Sequence, residues 1–493
     1  MKKLYSLFLD IPWFVFLIPF IFILNELRFV FFEYSTTTTY DKIVFAVIIL
    51  LSDLIIFALC WLLTKNKIKA GILSLLPLLC FNYYFDIYNE LIKLNIVAEI
   101  FISIQTKIHW IILLIIAFLE AAIYLLLRKA KMTFRYFNFY LNIIFIIFFS
   151  IEVYKYFVIQ KHHVVLVNTD ISAEKTELKK LAKGFPNIYF IIFDSYTNNQ
   201  SLKKYWNYDN SSLKRYFTDK GFWFSEKSHS AYTATEYSVS STLNSSYLNI
   251  KNHDEADHSK KYDLINFIRN SEILNILKKY NYHFIEYSIF KHKSIPGLQN
   301  FVFENLFFRS FVYLMQEKLF GVVNPDYWKT NDDIKNSIEQ VHKEKGPFLL
   351  YAHFSMPHAP YIYDSTGNKI TDIKISYDCM NKYYYLSQLK YTNKFVMEVA
   401  GRILEHDKNS IIIIQGDHGF RFLTDEKPSD SNDEAFSILN TIYIPNSNYA
   451  GFPDTMNAVN TFRYVFNNYF KTNFRILENK RTNVLDPVET INK

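Results

Sequence analysis

Pro186-Asn187-Ile188-Tyr189-Phe190-Ile191-Ile192-Phe193-Asp194 is an apolar run that stops abruptly on a carboxylate, and Ile411-Ile412-Ile413-Ile414-Gln415-Gly416-Asp417-His418-Gly419 repeats the design. A third copy, Phe348-Leu349-Leu350-Tyr351-Ala352 before His353, lies between them. Continuous apolar runs of this length fit strands buried on both faces, as in a parallel sheet covered by helices. Between them Leu386, Leu389, Val396, Ala400 and Ile403 recur at steps close to helical. Ile273, Leu274 and Leu277 follow Ser271, a plausible helix cap. Strand and helix patterns in alternation predict an α/β sandwich. Ligands of such folds gather beyond the carboxyl ends of the strands, where Asp194, His353, Asp417 and His418 are expected to emerge.

Upstream the chain changes character. The 50% of its 493 residues that are hydrophobic are concentrated in the first third. Apolar stretches near Ile11 to Leu24, Ile43 to Leu63, Ala70 to Tyr84, Ile108 to Leu127 and Phe137 to Val153 approach the roughly 20 residues that cross a bilayer. They predict an N-terminal bundle of about five transmembrane helices. The third, carrying Pro77 and ending at Asp86, is short enough to be re-entrant. Lys2 and Lys3, then Lys65, Lys67 and Lys69, then Arg128, Lys129, Lys131 and Arg135 mark cytoplasmic loops. The alternate loops carry Glu26, Glu33 and Asp41, then Asp86, Glu90 and Glu99. An odd number of spans starting inside delivers everything after about residue 155 outside. Asp10 interrupts the first apolar stretch and no small-residue cleavage site follows Leu24, so an anchor is expected rather than a cleaved signal. The expected organisation is a transmembrane region at 1–158, a linker at 159–185, an extracytoplasmic catalytic domain at 186–475 and a tail at 476–493.

The net charge of +7, from 54 Lys and Arg against 47 Asp and Glu, includes no basic arm, so no nucleic-acid partner is expected. Cys60 and Cys80 fall in apolar spans, and Cys379 alone cannot close a disulfide within the soluble part. The apolar third shows no charge constellation of a proton or ion relay, which favours an anchored enzyme over a transporter.

Taken singly, the polar motifs have ordinary explanations. Asp194 can end a strand in a turn, Asp417-His418-Gly419 can be a turn with a bonded imidazole, and Ser230 to Ser238 can be loop and helix start. His353 and His358 can sit in a proline-stiffened loop. Together they meet a specific requirement. Hard carboxylate oxygens and a neutral imidazole hold a divalent ion that also takes an alcohol oxygen, which makes Thr235 the candidate nucleophile, with Thr233 and Ser238 next. His358 and Arg421 supply donors for the remaining oxygens of a transferring group.

The order and spacing of Pro186 to Asp194, Tyr232-x-x-Thr235-x-x-Ser238 followed by Leu243-Asn244, Pro357-His358-Ala359-Pro360 and Gly416-Asp417-His418-Gly419 resemble the alkaline phosphatase and sulfatase superfamily. The resemblance covers roughly Pro186 to Pro445. It is strongest to the membrane-anchored branch containing lipoteichoic acid synthase and the phosphoethanolamine and phosphoglycerol transferases. It implies an alkaline phosphatase-like α/β domain, with Asp194, Thr235, Asp417 and His418 as metal ligands and Thr235 as nucleophile. His353, His358 and Arg421 would hold the substrate. Two departures bound it: no Cys-or-Ser-x-Pro-x-Arg block of formylglycine sulfatases surrounds Thr235, and no histidine follows His418 to complete a second zinc site. One divalent ion is therefore expected, manganese or zinc, with magnesium also compatible. The near absence of cysteine places the design nearer lipoteichoic acid synthase than the disulfide-rich phosphoethanolamine transferases.

The implied activity moves a phospho-substituent, of phosphoglycerol or phosphoethanolamine type, from a membrane phospholipid through Thr235 to a cell-envelope glycan, lipid or polymer. The implied location is the bacterial cytoplasmic membrane, multi-pass, with the catalytic domain extracytoplasmic. A phosphoric or sulfuric ester hydrolase using the same site and a non-catalytic membrane scaffold are the alternatives.

Overall fold

The computed structural model describes residues 2–33, 39–92, 108–159, 178, 184–248, 258–288, 327–370, 378–423, 433–446 and 449–484. They form two compact units, one within residues 2–159 and one within 178–484. Most of the expected linker, the acidic loop residue Glu99 and the end of the tail from 485 lie outside the described residues.

The first unit contains α1 (Lys2–Asp10), α2 (Phe14–Glu33), α3 (Thr39–Thr64), α4 (Lys67–Ile92), α5 (Ile108–Lys129) and α6 (Arg135–Ile159). Each expected apolar stretch lies mainly within one of α2 to α6. Among the described residues two segments, Ile43–Thr64 and Arg135–Phe157, are long and apolar enough to cross a bilayer, and Phe14–Leu27 is a shorter apolar helix. Pro77 does not end the third stretch: α4 continues through it and departs from helical geometry only at Tyr83. The Lys69 ammonium donates to the carbonyls of Leu127 (2.8 Å) and Ala130 (2.7 Å), satisfying acceptors left open at the end of α5. The Arg135 guanidinium makes a two-pronged bond to Asp10, at 2.6 and 2.9 Å. These bonds gather both basic loops and the end of α1 at one end of the unit.

The second unit is built on a six-stranded sheet in the order β2-β6-β5-β1-β4-β3. The strands are β1 (Ile188–Phe193), β2 (Trp223–Ser225), β3 (His283–Tyr287), β4 (Phe348–Phe354), β5 (Ile411–Gly416) and β6 (Asn440–Tyr443). β1 is parallel to β4 and β5, and β3 is parallel to β4. β6 runs antiparallel to β5, and β2 to β6, so the sheet is mixed rather than wholly parallel. The three strands read from sequence are the central ones, and every residue of β1, β4 and β5 is buried.

Tyr189, Ile191 and Phe193 pack into a core with α7 (Asn199–Trp206), α8 (Ser211–Asp219), α12 (Tyr327–Val341) and α13 (Lys382–His406). Ile188, Phe190 and Ile192 point to the other face, against α9 (Thr235–Asn244), α10 (His258–Arg269), α11 (Glu272–Lys278) and α14 (Thr461–Tyr469). At about 1.5–3 kcal/mol for each fully buried large apolar side chain, this double burial explains why the runs do not alternate. Ser271 caps α11 as expected, its hydroxyl accepting from the Leu274 N–H.

Asn187 sets the sheet's register. Its side-chain oxygen accepts from the Phe348 N–H (3.3 Å), its amide donates to Asp407 (2.7 Å), and its carbonyl accepts from the Ile411 N–H (2.9 Å). Three strands thus start flush. They also finish flush, with Phe193 opposite both Phe354 and Gly416, which places Asp194 beside Asp417.

Candidate metal centre and active site

The turn after β1 and the turn after β5 are locked together by backbone and side chain. Ser195, in left-handed conformation at φ 60°, donates its N–H to Asp417 Oδ1 at 2.9 Å. Gly416 permits the close approach this requires, since a Cβ there would lie 2.3 Å from the Tyr196 carbonyl oxygen; Gly419 packs as closely on the segment before β6, where a Cβ would lie 2.0 Å from the Glu434 carbonyl oxygen. The result brings one ligand atom from each of Asp194, Asp417 and His418 within 4.8 Å of one another, all three residues buried.

The donor set fits a divalent cation. Asp417 Oδ1 accepts from the N–H groups of Ser195 and His418, both at 2.9 Å, while Oδ2 is buried with no hydrogen-bond partner among the described residues. His418 Nδ1 lies 2.8 Å from the Gly419 carbonyl, an acceptor that fixes the proton on Nδ1. Nε2 therefore presents its lone pair toward Asp194 Oδ1 (3.6 Å) and Asp417 Oδ2 (3.5 Å). A lone pair facing two buried carboxylate oxygens is repulsive alone and favourable around a positive ion. Thr235 Oγ1, 3.4 Å from the same Nε2, adds the alcohol oxygen. Asp194, Asp417, His418 and Thr235 are the residues able to hold such an ion.

The other expected site residues form two groups. His358 and Arg421 come together at the half-exposed rim. The guanidinium reaches His358 Nε2 at 3.3 Å and donates to the Thr233 carbonyl at 3.1 Å. His353 instead is wholly buried behind Asp194, its Nε2 3.7 Å from Oδ2, so the open substrate-facing position expected from sequence is not where this side chain lies. Its Nδ1 is 2.8 Å from the Tyr351 hydroxyl, whose proton burial holds far above the ordinary tyrosine range. Burial alone would raise the Asp194 carboxyl, but the positive charge of the His358 imidazole and the hydrogen bond from His353 outweigh it and hold the group well below the usual carboxylate range.

Three hydroxyls near the start of α9 are now distinguishable. Thr233 is buried with its hydroxyl engaged by Asn483 and Val484. Ser238 is buried and donates to the Asp417 carbonyl at 2.5 Å. Thr235, the first residue of α9, is half exposed and faces the cluster. The preceding Ala234 provides no side-chain cap, leaving the positive end of the helix to act on an anion there.

Sequence reasoning missed the residues that hold the turns in place. Tyr385 donates to the Ser195 carbonyl at 2.7 Å. Gln388, one turn along α13, accepts from the N–H groups of Ile362 (2.7 Å) and Tyr363 (3.1 Å) and donates to the carbonyls of Pro357 (3.2 Å) and His358 (2.9 Å). Both are polar residues on the buried face of a helix, a signal visible in the interrupted apolar pattern of α13.

A family model described as Sulfatase matches residues 186–449. No curated protein matches the chain. Among solved structures, the C-terminal periplasmic domain of EptC from Escherichia coli in complex with Zn is 12% identical with a TM-score of 0.36, covering 55% of this chain and 77% of that one. The C-terminal periplasmic domain of the phosphoethanolamine transferase EptC from Campylobacter jejuni is 14% identical (TM-score 0.34; 61% and 92% covered). The putative sulfatase yidJ from Bacteroides fragilis is 14% identical (TM-score 0.33; 56% and 72% covered). With the family match spanning more than half of its length and containing Asp194, Thr235, Asp417 and His418, the chain belongs to the sulfatase family.

Proposed function

We propose that this protein is a membrane-anchored, metal-dependent transferase that takes a phospho-substituent from a phospholipid onto Thr235 and passes it to a cell-envelope glycan, lipid or polymer. The observation that carries this reading is the convergence of a half-exposed Thr235 hydroxyl with a buried Asp194, Asp417 and His418 set, one of whose carboxylate oxygens has no hydrogen-bond donor among the described residues. A divalent cation bound there, manganese or zinc and one per chain, lowers the proton affinity of an alcohol oxygen and offsets charge on a phosphoryl oxygen.

The chain's own residues do the rest. The start of α9 orients Thr235 Oγ1 toward the phosphorus and favours an anion beside it. Arg421 and His358 stand on the rim, where they pair with the outer oxygens of the transferring group. His353 stays behind Asp194 and fixes its carboxylate, a positioning task in place of the substrate contact expected from sequence. As the Thr235 oxygen bonds to phosphorus, the bond to the lipid alcohol breaks; the proton Thr235 gives up balances the one the departing alcoholate takes. The acceptor oxygen then bonds to phosphorus as the bond from phosphorus to the Thr235 oxygen breaks, and the proton that the acceptor hydroxyl gives up balances the one that restores the Thr235 hydroxyl. A lipid donor accounts for an apolar N-terminal third of about five crossings, with the catalytic unit outside.

The test is release of diacylglycerol from phosphatidylglycerol and phosphatidylethanolamine vesicles by the purified full-length protein with Mn²⁺ or Zn²⁺. Release that requires metal and is lost in Thr235→Ala is expected; normal release by that variant would refute the assignment.

A further inference from the structure

We propose that the C-terminal strap, residues 475–484, is a positioning element of the active site: through Thr233 it fixes both Thr235 and Arg421. This deepens the assignment of Thr235 as nucleophile and rests on it.

Residues 475–481 of the strap have no regular secondary structure, and the side chains of 478–481 are exposed, so the apolar burial of Phe474 before it and of Val484 against Ala231, Tyr232 and Leu248 at its end does not hold the stretch between. Polar contacts to its backbone set it instead. Asn460 bonds both the N–H and the carbonyl of Leu477, each at 2.9 Å. The Tyr247 hydroxyl donates to the Glu478 carbonyl (2.6 Å) and accepts from the Lys480 N–H (2.9 Å). The Thr482 N–H donates to the Ala231 carbonyl at 2.8 Å. The last grip is on the loop that enters α9: the Thr233 hydroxyl accepts from the Val484 N–H (2.9 Å) and has the Val484 carbonyl (2.8 Å) and Asn483 Oδ1 (2.9 Å) as acceptors for its single proton.

Thr233 lies two residues before Thr235, and its own carbonyl accepts from Arg421 at 3.1 Å. One peptide therefore couples the strap to the nucleophile on one side and to the rim guanidinium on the other. Releasing the Thr233 hydroxyl frees the peptide to rotate, which moves Thr235 Oγ1 and Arg421 together while Asp194, Asp417 and His418 keep their own bonds. A displacement of about 1 Å in a reacting group lowers turnover by up to roughly a hundredfold. The expected signature is a loss in kcat with metal affinity retained.

The experiment uses the full-length protein in detergent, with bis(4-nitrophenyl) phosphate as probe and Mn²⁺ affinity measured alongside. Thr233→Val, which keeps the shape and removes the hydroxyl, is expected to lower kcat about tenfold to a hundredfold, with KM and Mn²⁺ affinity within about threefold of wild type. Val484→Pro, which removes the donor from the strap's side, should do the same, and the double variant should be no worse than either single. Thr233→Ser, which restores the hydroxyl, should recover turnover to within about threefold. Wild-type kcat in Thr233→Val, or losses that add in the double variant, would overturn the proposal while Thr235→Ala remains inactive. Wild-type turnover in Thr235→Ala would instead remove the nucleophile assignment beneath it.

Discussion

Replacing Gln388 by Leu should uncouple the His358 loop from α13. The side chain is buried and serves the loop in both directions, accepting from the N–H groups of Ile362 and Tyr363 and donating to the carbonyls of Pro357 and His358. Leucine fills a similar volume, so cavity formation adds little and the cost is that of stranded polar groups. Each buried N–H left without an acceptor costs about 1–3 kcal/mol, or about 2–6 kcal/mol for the pair, and the apolar side chain returns about 1–2 kcal/mol through better burial. At the middle of these ranges the net loss is about 2.5 kcal/mol. Urea denaturation of the full-length protein, followed by a probe in the second unit, measures it. Turnover should fall in parallel with that of His358→Ala, and the double variant should lose no more than the worse single, because both substitutions disable one loop. A stability loss under about 1 kcal/mol, or additive losses of turnover, would refute the reasoning.

Asp417→Asn keeps an oxygen for the Ser195 and His418 N–H groups but replaces Oδ2, which has no hydrogen-bond partner among the described residues, with an amide, so Mn²⁺ affinity by titration calorimetry should fall about a hundredfold with the melting temperature hardly lowered; unchanged affinity would mean that the ion binds elsewhere. Burial holds the His229 imidazole down at about 4, against an unfolded value near 6.5. The unfolded chain therefore binds a proton that the folded one refuses, and stability should drop by roughly 3 kcal/mol as pH falls from 6.5 toward 4. In His229→Gln that part of the acid slope should vanish, and identical wild-type and variant slopes in thermal melts would contradict it. A reporter active only in the cytoplasm, fused near Gln200, should be silent if the second unit lies outside, and an active fusion would reverse the topology.

The central sheet and the metal-type cluster were legible because both rest on simple physics. β1, β4 and β5 are buried on both faces, so their apolar runs are nearly unbroken, and β1 and β5 end directly before Asp194 and Asp417, whereas β4 runs on through His353 to Phe354. The outer strands obey no such rule. β3 reads His283-Phe284-Ile285-Glu286-Tyr287 and pairs on one side only, while β2 and β6 are short and polar in part, so the antiparallel edge of the sheet left no signal. Among site residues, carboxylates and imidazoles at strand ends could be named from their chemistry. His353 could not be placed from chemistry alone, because its side chain belongs to the strand's buried side rather than to the turn beyond. Nor could Thr233, whose partners lie some 250 residues away in sequence and become neighbours only once the strap has folded back. The N-terminal third shows the same division: apolar stretches foretold the helices, whereas the bonds that join Lys69 to Ala130 and Arg135 to Asp10 depend on packing between them.

The most direct measurement is mass spectrometry of the full-length protein quenched during turnover of a phospholipid with Mn²⁺ present. A phosphodiester adduct carrying the lipid headgroup is expected on Thr235, absent without metal and absent in Thr235→Ala. An adduct on Thr233, Ser238 or any other residue, or continued turnover by Thr235→Ala with no adduct at all, would contradict the assignment of Thr235 as the nucleophile.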